Sequence, residues 1–202
     1  MALYMTQTKV ELREVVLRHK PPEMLEISPK GTVPVLQLAT GEVIEESLDI
    51  MHWALAQGEE GTPFLACDSA AQMALIADMD SVFKAHLDRY KYPGRYLEEP
   101  QKDYRALGLA WIEAHVSTRL KETPHLFGTT VSFADIAIFP FLRQFAHTDP
   151  DWFYQTVTPQ TGRWLKSHIA SAAFEAIMAK YPNWQVGEPG IEFPSYHDNK
   201  TA

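Results

Sequence analysis

Hydrophobic and polar positions are spaced differently in residues 1–57 and in residues 70–202. Between Val10 and Leu17 (VELREVVL) they alternate loosely and are rich in β-branched residues, and Val33 to Leu38 (VPVLQL) is a short apolar run. Both patterns predict strands. Thr40-Gly41 separates the second run from Val43 and Ile44, which predicts a tight turn and an antiparallel hairpin. Pro21-Pro22-Glu23-Met24-Leu25 suits a short helix, because proline is tolerated in a first helical turn. From Ser47 the segment SLDIMHWALAQG sets Leu48, Met51 and Leu55 at helical spacing and ends in Gly58. It predicts a helix with Ser47 as N-cap.

Residues 58–69 are polar and contain glycine and proline, so they read as a linker between two domains. Beyond them the period becomes helical. Leu75, Met79, Val82, Phe83 and Leu87 form one apolar stripe, and Tyr104, Leu107, Trp111, Ala114 and Thr118 form another, which predicts two long helices packed antiparallel. A loop from Glu122 to Val131 precedes SFADIAIFPFLRQFA, a helix that Pro140 is expected to bend. Two further helical segments follow, Gln160 to Ile169 and Ala172 to Lys180. The tail from Gln185, with Pro189, Gly190 and Pro194, reads as extended and partly mobile.

Composition narrows the function. With 202 residues, 46% of them hydrophobic, the chain can build a real core. A formal charge of -8 without a basic stripe argues against nucleic-acid binding. No run of eighteen apolar residues or signal-peptide pattern points to a membrane or to export, and a lone cysteine, Cys67, rules out an intrachain disulfide framework. A cytoplasmic protein is expected. The histidines lack metal-ligand spacing and no glycine-rich loop resembles a phosphate cradle, so neither a metal nor a nucleotide site is expected.

Three local patterns carry candidate chemistry. Proline opening a strand in Thr32-Val33-Pro34 can select a cis bond, which would turn the Val33 N–H and C=O toward an extended peptide-like ligand; a trans bond that merely starts a strand is the plain alternative. Glu46-Ser47 stands where a strand gives way to a helix. Backbone N–H groups and a serine hydroxyl there suit a carboxylate, and Glu46 suits an ammonium group, whereas a simple cap is the plain alternative. Ser132-Phe133-Ala134-Asp135 has the spacing of a capping box, a folding device in which Ser132 and Asp135 are structural.

Taken together, KGTVPVLQLATGEVIEESLDIMHWAL and the Ser132–Asp135 box resemble the cytosolic glutathione S-transferase family. The resemblance implies a thioredoxin-like α/β domain (residues 1–57), a linker (58–69) and an all-helical domain (70–202). It implies that Val33, beside the cis-proline Pro34, pairs with the glutathione cysteine backbone and that Glu46 and Ser47 hold its γ-glutamyl group. Lys20 resembles the lysine that omega-like, cysteine-type members place near the glycine carboxylate. Glutathione would be a cosubstrate, with a small electrophile or a mixed disulfide as the second partner, and a homodimer is usual in the family. The resemblance fails at the start: the family's first strand and the beginning of its first helix, which carry the group contacting the glutathione sulfur, have no counterpart before Met1. A truncated thioredoxin-like half is therefore expected, with no catalytic residue assigned. Tyr4 and Cys67 do not replace that group, and Trp111, Tyr90 and Tyr92 either line an electrophile pocket or belong to the core. The function implied is conjugation or thiol transfer with glutathione in the complete form; the alternative is a catalytically impaired glutathione-binding or interaction module.

Overall fold

The structure is a computed structural model and describes residues 1–58, 69–97 and 102–195. Cys67 lies outside these residues. The chain forms two compact units, Met1–Thr62 with Ala172–Ala202 and Pro63–Ser171. The grouping differs from the expected 70–202 helical domain at its end, where residues from Ala172 onward pack with the first unit.

In the first unit, α1 (Ala2–Met5) is followed by β1 (Val10–Leu12), α2 (Pro22–Ile27), β2 (Leu36–Gln37), β3 (Val43–Ile44) and α3 (Ser47–Gln57). Leu36 pairs with Ile44 and Gln37 with Val43, giving the antiparallel hairpin that the apolar runs predict. Gly41 turns it with φ 90°, a left-handed conformation that suits glycine, and its N–H donates to the Leu38 carbonyl at 2.9 Å. Only Val10–Leu12 of the first expected strand is strand, and it pairs with the far end of the chain. β4 (Ile191–Phe193) lies antiparallel to it, with Val10 opposite Phe193 and Leu12 opposite Ile191. Ile191–Phe193 of the tail is extended as expected and paired, because β1 offers backbone groups that need partners. Glu11 faces Glu192 across this pair, and each carboxylate finds a cation, Arg13 at 2.7 Å and Lys9 at 2.9 Å. Trp184 adds a backbone bond to the Glu14 carbonyl, and the Arg13 guanidinium lies 4.7 Å over its ring.

The second unit is helical. Its first rod runs through α4 (Ser69–Asp78), a π turn (Met79–Phe83) and α5 (Lys84–Lys91); the next runs through α6 (Tyr104–Ile112), a second π turn (Glu113–Ser117) and α7 (Thr118–Leu120). These π turns alter the expected stripes. Leu75, Met79, Phe83 and Leu87 are buried but Val82 is 39% exposed, and along the second rod Ala114 and Thr118 of the expected stripe are exposed while Trp111, Ile112, Val116 and Leu120 face inward. A π turn holds an extra residue, so the face presented by a strict 3.6 period slips. α8 (Phe133–Ala146), containing Pro140, has Phe139, Leu142, Phe145 and Ala146 almost wholly buried; α9 (Pro150–Thr156) and α10 (Pro159–Ile169) close the unit. α11 (Ala172–Ile177) returns the chain to the first unit.

Candidate functional site

The β2–β3 hairpin joins two of the candidate segments, since the chain enters it from Val33–Pro34 and leaves it into Glu46, Ser47 and α3. The Val33–Pro34 bond is cis, Val33 is 45% exposed, and its N–H and C=O make no backbone hydrogen bond among the described residues. A peptide-like group could therefore pair with them. Gly31 (φ 61°) lets the loop before this bond pass close to α2: a Cβ there would stand 3.2 Å from Leu25 Cδ2 and 3.7 Å from Lys20 Cδ. The stem of Lys20 thus lies beside the loop. Its Nζ donates to the Leu17 carbonyl at 2.8 Å.

Helix α3 differs from expectation at its first residue. Glu46 is the N-cap, with extended backbone (φ -100°, ψ 139°), its carbonyl accepts from Ile50 N–H at 3.0 Å, and Ser47 is the first helical residue. The Glu46 side chain makes no capping bond to this end. Ser47 cannot be its own helix's N-cap because the chain straightens one residue earlier, so its exposed hydroxyl and the first N–H groups are open to an anionic ligand.

Two acids and a lysine link these pieces. Lys30 Nζ stands 3.2 Å from Glu45 Oε2 and 3.7 Å from Glu46 Oε1, and the Ser28 hydroxyl donates to Glu45 Oε1 at 2.6 Å. Ser28 is wholly buried. Its hydroxyl, followed by Lys30, holds the Glu45 carboxyl below the usual carboxylate range, and Glu45 in turn raises the Lys30 ammonium. Sequence reasoning missed Ser28, Lys30 and Glu45. The one signal was a lysine fifteen residues before a Glu-Glu pair, which has no meaning until the hairpin folds back.

In the second unit the capping box forms in full. Ser132 Oγ accepts from Asp135 N–H at 3.3 Å, and Asp135 Oδ2 accepts from Ser132 N–H at 2.8 Å and from its hydroxyl at 2.5 Å. Asp135 Oδ1 accepts from Leu126 N–H at 3.0 Å and Trp164 Nε1 at 2.6 Å. Burial alone would raise this carboxyl, yet His168, Ser132 and the two backbone donors outweigh burial and set it below its ordinary value. His125, Asp135 and His168 could by their atom types hold a metal ion. Both Asp135 oxygens are already engaged by the four donors just named, so the group acts as a structural junction. Trp111 is 5% exposed and donates to Asp78 Oδ2 at 2.6 Å, while Tyr90 packs 5.0 Å from the Phe145 ring. Trp111 belongs to the core of its unit, and Tyr90 is half-buried at its edge. Tyr92 is 37% exposed, with the Arg95 guanidinium 4.0 Å from its ring.

A family model described as the glutathione S-transferase N-terminal domain matches residues 1–63, and one for the C-terminal domain of the same family matches residues 99–185. The chain belongs to the glutathione S-transferase family. Its fold is that family's thioredoxin-like N-terminal domain followed by a helical C-terminal domain. Solved transferases share the fold at low identity. An apo glutathione S-transferase III aligns with a TM-score of 0.66 and 18% identity, covering 90% of this chain and 91% of that one. Transferase URE2P6 from Phanerochaete chrysosporium, solved with oxidized glutathione, aligns with a TM-score of 0.71 and 17% identity over 86% and 85% of the two chains. A transferase from Rhodospirillum rubrum gives 0.61 and 22% over 82% and 79%. No curated protein sequence matches the chain. Among the described residues no helix is long and apolar enough to cross a membrane.

Proposed function

We propose that the chain binds glutathione at the face built from Lys20, Val33, Pro34, Glu46 and Ser47, and serves a transferase reaction, conjugation or thiol transfer, with a small electrophile or a mixed disulfide as second partner. The observation that carries this reading is a hairpin with Val33 backbone groups that make no backbone hydrogen bond among the described residues before it and the Glu46–Ser47 helix start after it, in a chain of this family. Glutathione has an extended peptide backbone, two carboxylates and one ammonium. Val33 would pair with its backbone, the N–H groups and hydroxyl of Ser47 with one carboxylate region, Glu46 with the ammonium, and Lys20 with the far carboxylate. A cytoplasmic homodimer of omega-like type belongs to the same proposal.

Calorimetry with glutathione tests it. Glu46→Gln should weaken binding by about 1–2 kcal/mol, the loss of a charge-assisted contact at a partly hydrated site. Equal affinity in both forms would remove Glu46 from the site.

A further inference from the structure

Lys30 is placed with more care than an exposed surface lysine requires. Behind it Glu45 is pinned by the hydroxyl of the buried Ser28 at 2.6 Å; in front of it lies Glu46, whose side chain is 68% exposed. Ser28 is itself fixed by backbone bonds, donating to Met24 and accepting from Gly31, each at 2.9 Å. Charge is thus handed from the core to the rim of the candidate site through Ser28, Glu45, Lys30 and Glu46. An exposed ion pair stabilises a fold by about 0–1 kcal/mol, which gives stability little claim on this arrangement. The 3.2 Å contact to Glu45 is close and the 3.7 Å contact to Glu46 is loose. A ligand can therefore open the Lys30–Glu46 pair while Glu45 keeps the lysine in place.

The γ-glutamyl end of glutathione is a free α-amino acid head, an ammonium and a carboxylate on one carbon with centres about 3 Å apart. Lys30 and Glu46 offer the opposite charges at a matching distance. We infer that Lys30 contacts the ligand's α-carboxylate while Glu46 takes the ammonium beside it, so that the internal ion pair opens to receive a zwitterion. The inference rests on the proposed binding of a ligand ammonium by Glu46. Exchanging one internal pair for two ligand pairs leaves no charge without a counter-ion, which selects a complete amino acid head over a group carrying one charge.

Calorimetry on the full chain with three ligands tests this: glutathione, 4-aminobutyryl-cysteinylglycine, which lacks the α-carboxylate, and glutaryl-cysteinylglycine, which lacks the ammonium. Lys30→Met should weaken glutathione and the glutaryl peptide about tenfold and leave the aminobutyryl peptide within about twofold, and Lys30→Arg should restore much of the loss. Glu46→Gln should show the reverse selectivity, weakening the two ligands that carry the ammonium. Lys30→Met binding glutathione as tightly as the parent, or more tightly, would overturn the inference, since Lys30 would then be a bystander or a competitor for Glu46. Equal weakening of all three ligands would overturn it too. Glu46→Gln without effect on any of them would instead sink the underlying reading of Glu46.

Discussion

Gly108 shows how a single missing atom can outweigh local preference. Inside a helix, glycine is less favourable than alanine by about 1 kcal/mol, but a Cβ at this position would run into the ring of Phe145, which is 1% exposed. Gly108→Ala should therefore destabilise the protein by about 1–3 kcal/mol in urea unfolding, and a gain in stability would show that the ring moves aside freely. Asp135 is the polar counterpart. Asparagine keeps its shape but replaces an acceptor by a donor facing donors, so Asp135→Asn should cost about 2–4 kcal/mol in the same measurement. The Ser132–Asp135 box is legible in sequence because its parts lie three residues apart, whereas Gly108 and Phe145 meet only after the rods pack. Lys30 is hidden for the same reason. Ser47 reads as a cap from its residue type, and the chain places that cap one residue earlier.

At the scale of elements, the hairpin and most helices come from local spacing, and the two π turns do not, because an inserted residue leaves the composition of a stripe unchanged while rotating every later side chain about the helix axis. The loop between α7 and α8 has its own acid sensitivity. Burial, and then the neighbouring His168, push His125 below the ordinary histidine range against the opposing pull of Asp135, and its Nδ1 has no hydrogen-bond partner among the described residues. The sign is fixed by linkage: a group lowered in the folded state contributes stability above its unfolded value of about 6.5, and that contribution is lost as pH falls through the folded value. His86 and His147, both lowered chiefly by burial, act in the same direction. Asp135, lowered too, adds a loss below about pH 4. Urea midpoints should accordingly fall between about pH 7.5 and 5.5, and His125→Gln should flatten that fall. An unchanged slope in the variant would mean that other groups carry it.

At the scale of the molecule, the family's two-domain order is readable from the change in hydrophobic period, but the return of the last segment to the first unit is not. A three-residue strand framed by Gly190 and Pro194 looks like tail until its partner is known. Gly190 N–H donates to Glu11 Oε1 at 3.0 Å, and a Cβ at Gly190 would stand 2.8 Å from the Leu12 carbonyl oxygen. Gly190→Val should speed hydrogen exchange at the β1 amides while residues 104–120 keep their protection, and equal protection of β1 would show that it does not depend on β4. The same pairing sets a timetable during synthesis. Lys9 and Glu192, joined across the sheet, are separated by 183 positions, so at about 5–20 residues per second the first strand waits on the order of ten to forty seconds for its partner to be made. Throughout that interval the β1 edge is open to chaperones and to other nascent chains, and a premature stop ahead of Ile191 would act as a folding lesion at Val10–Leu12.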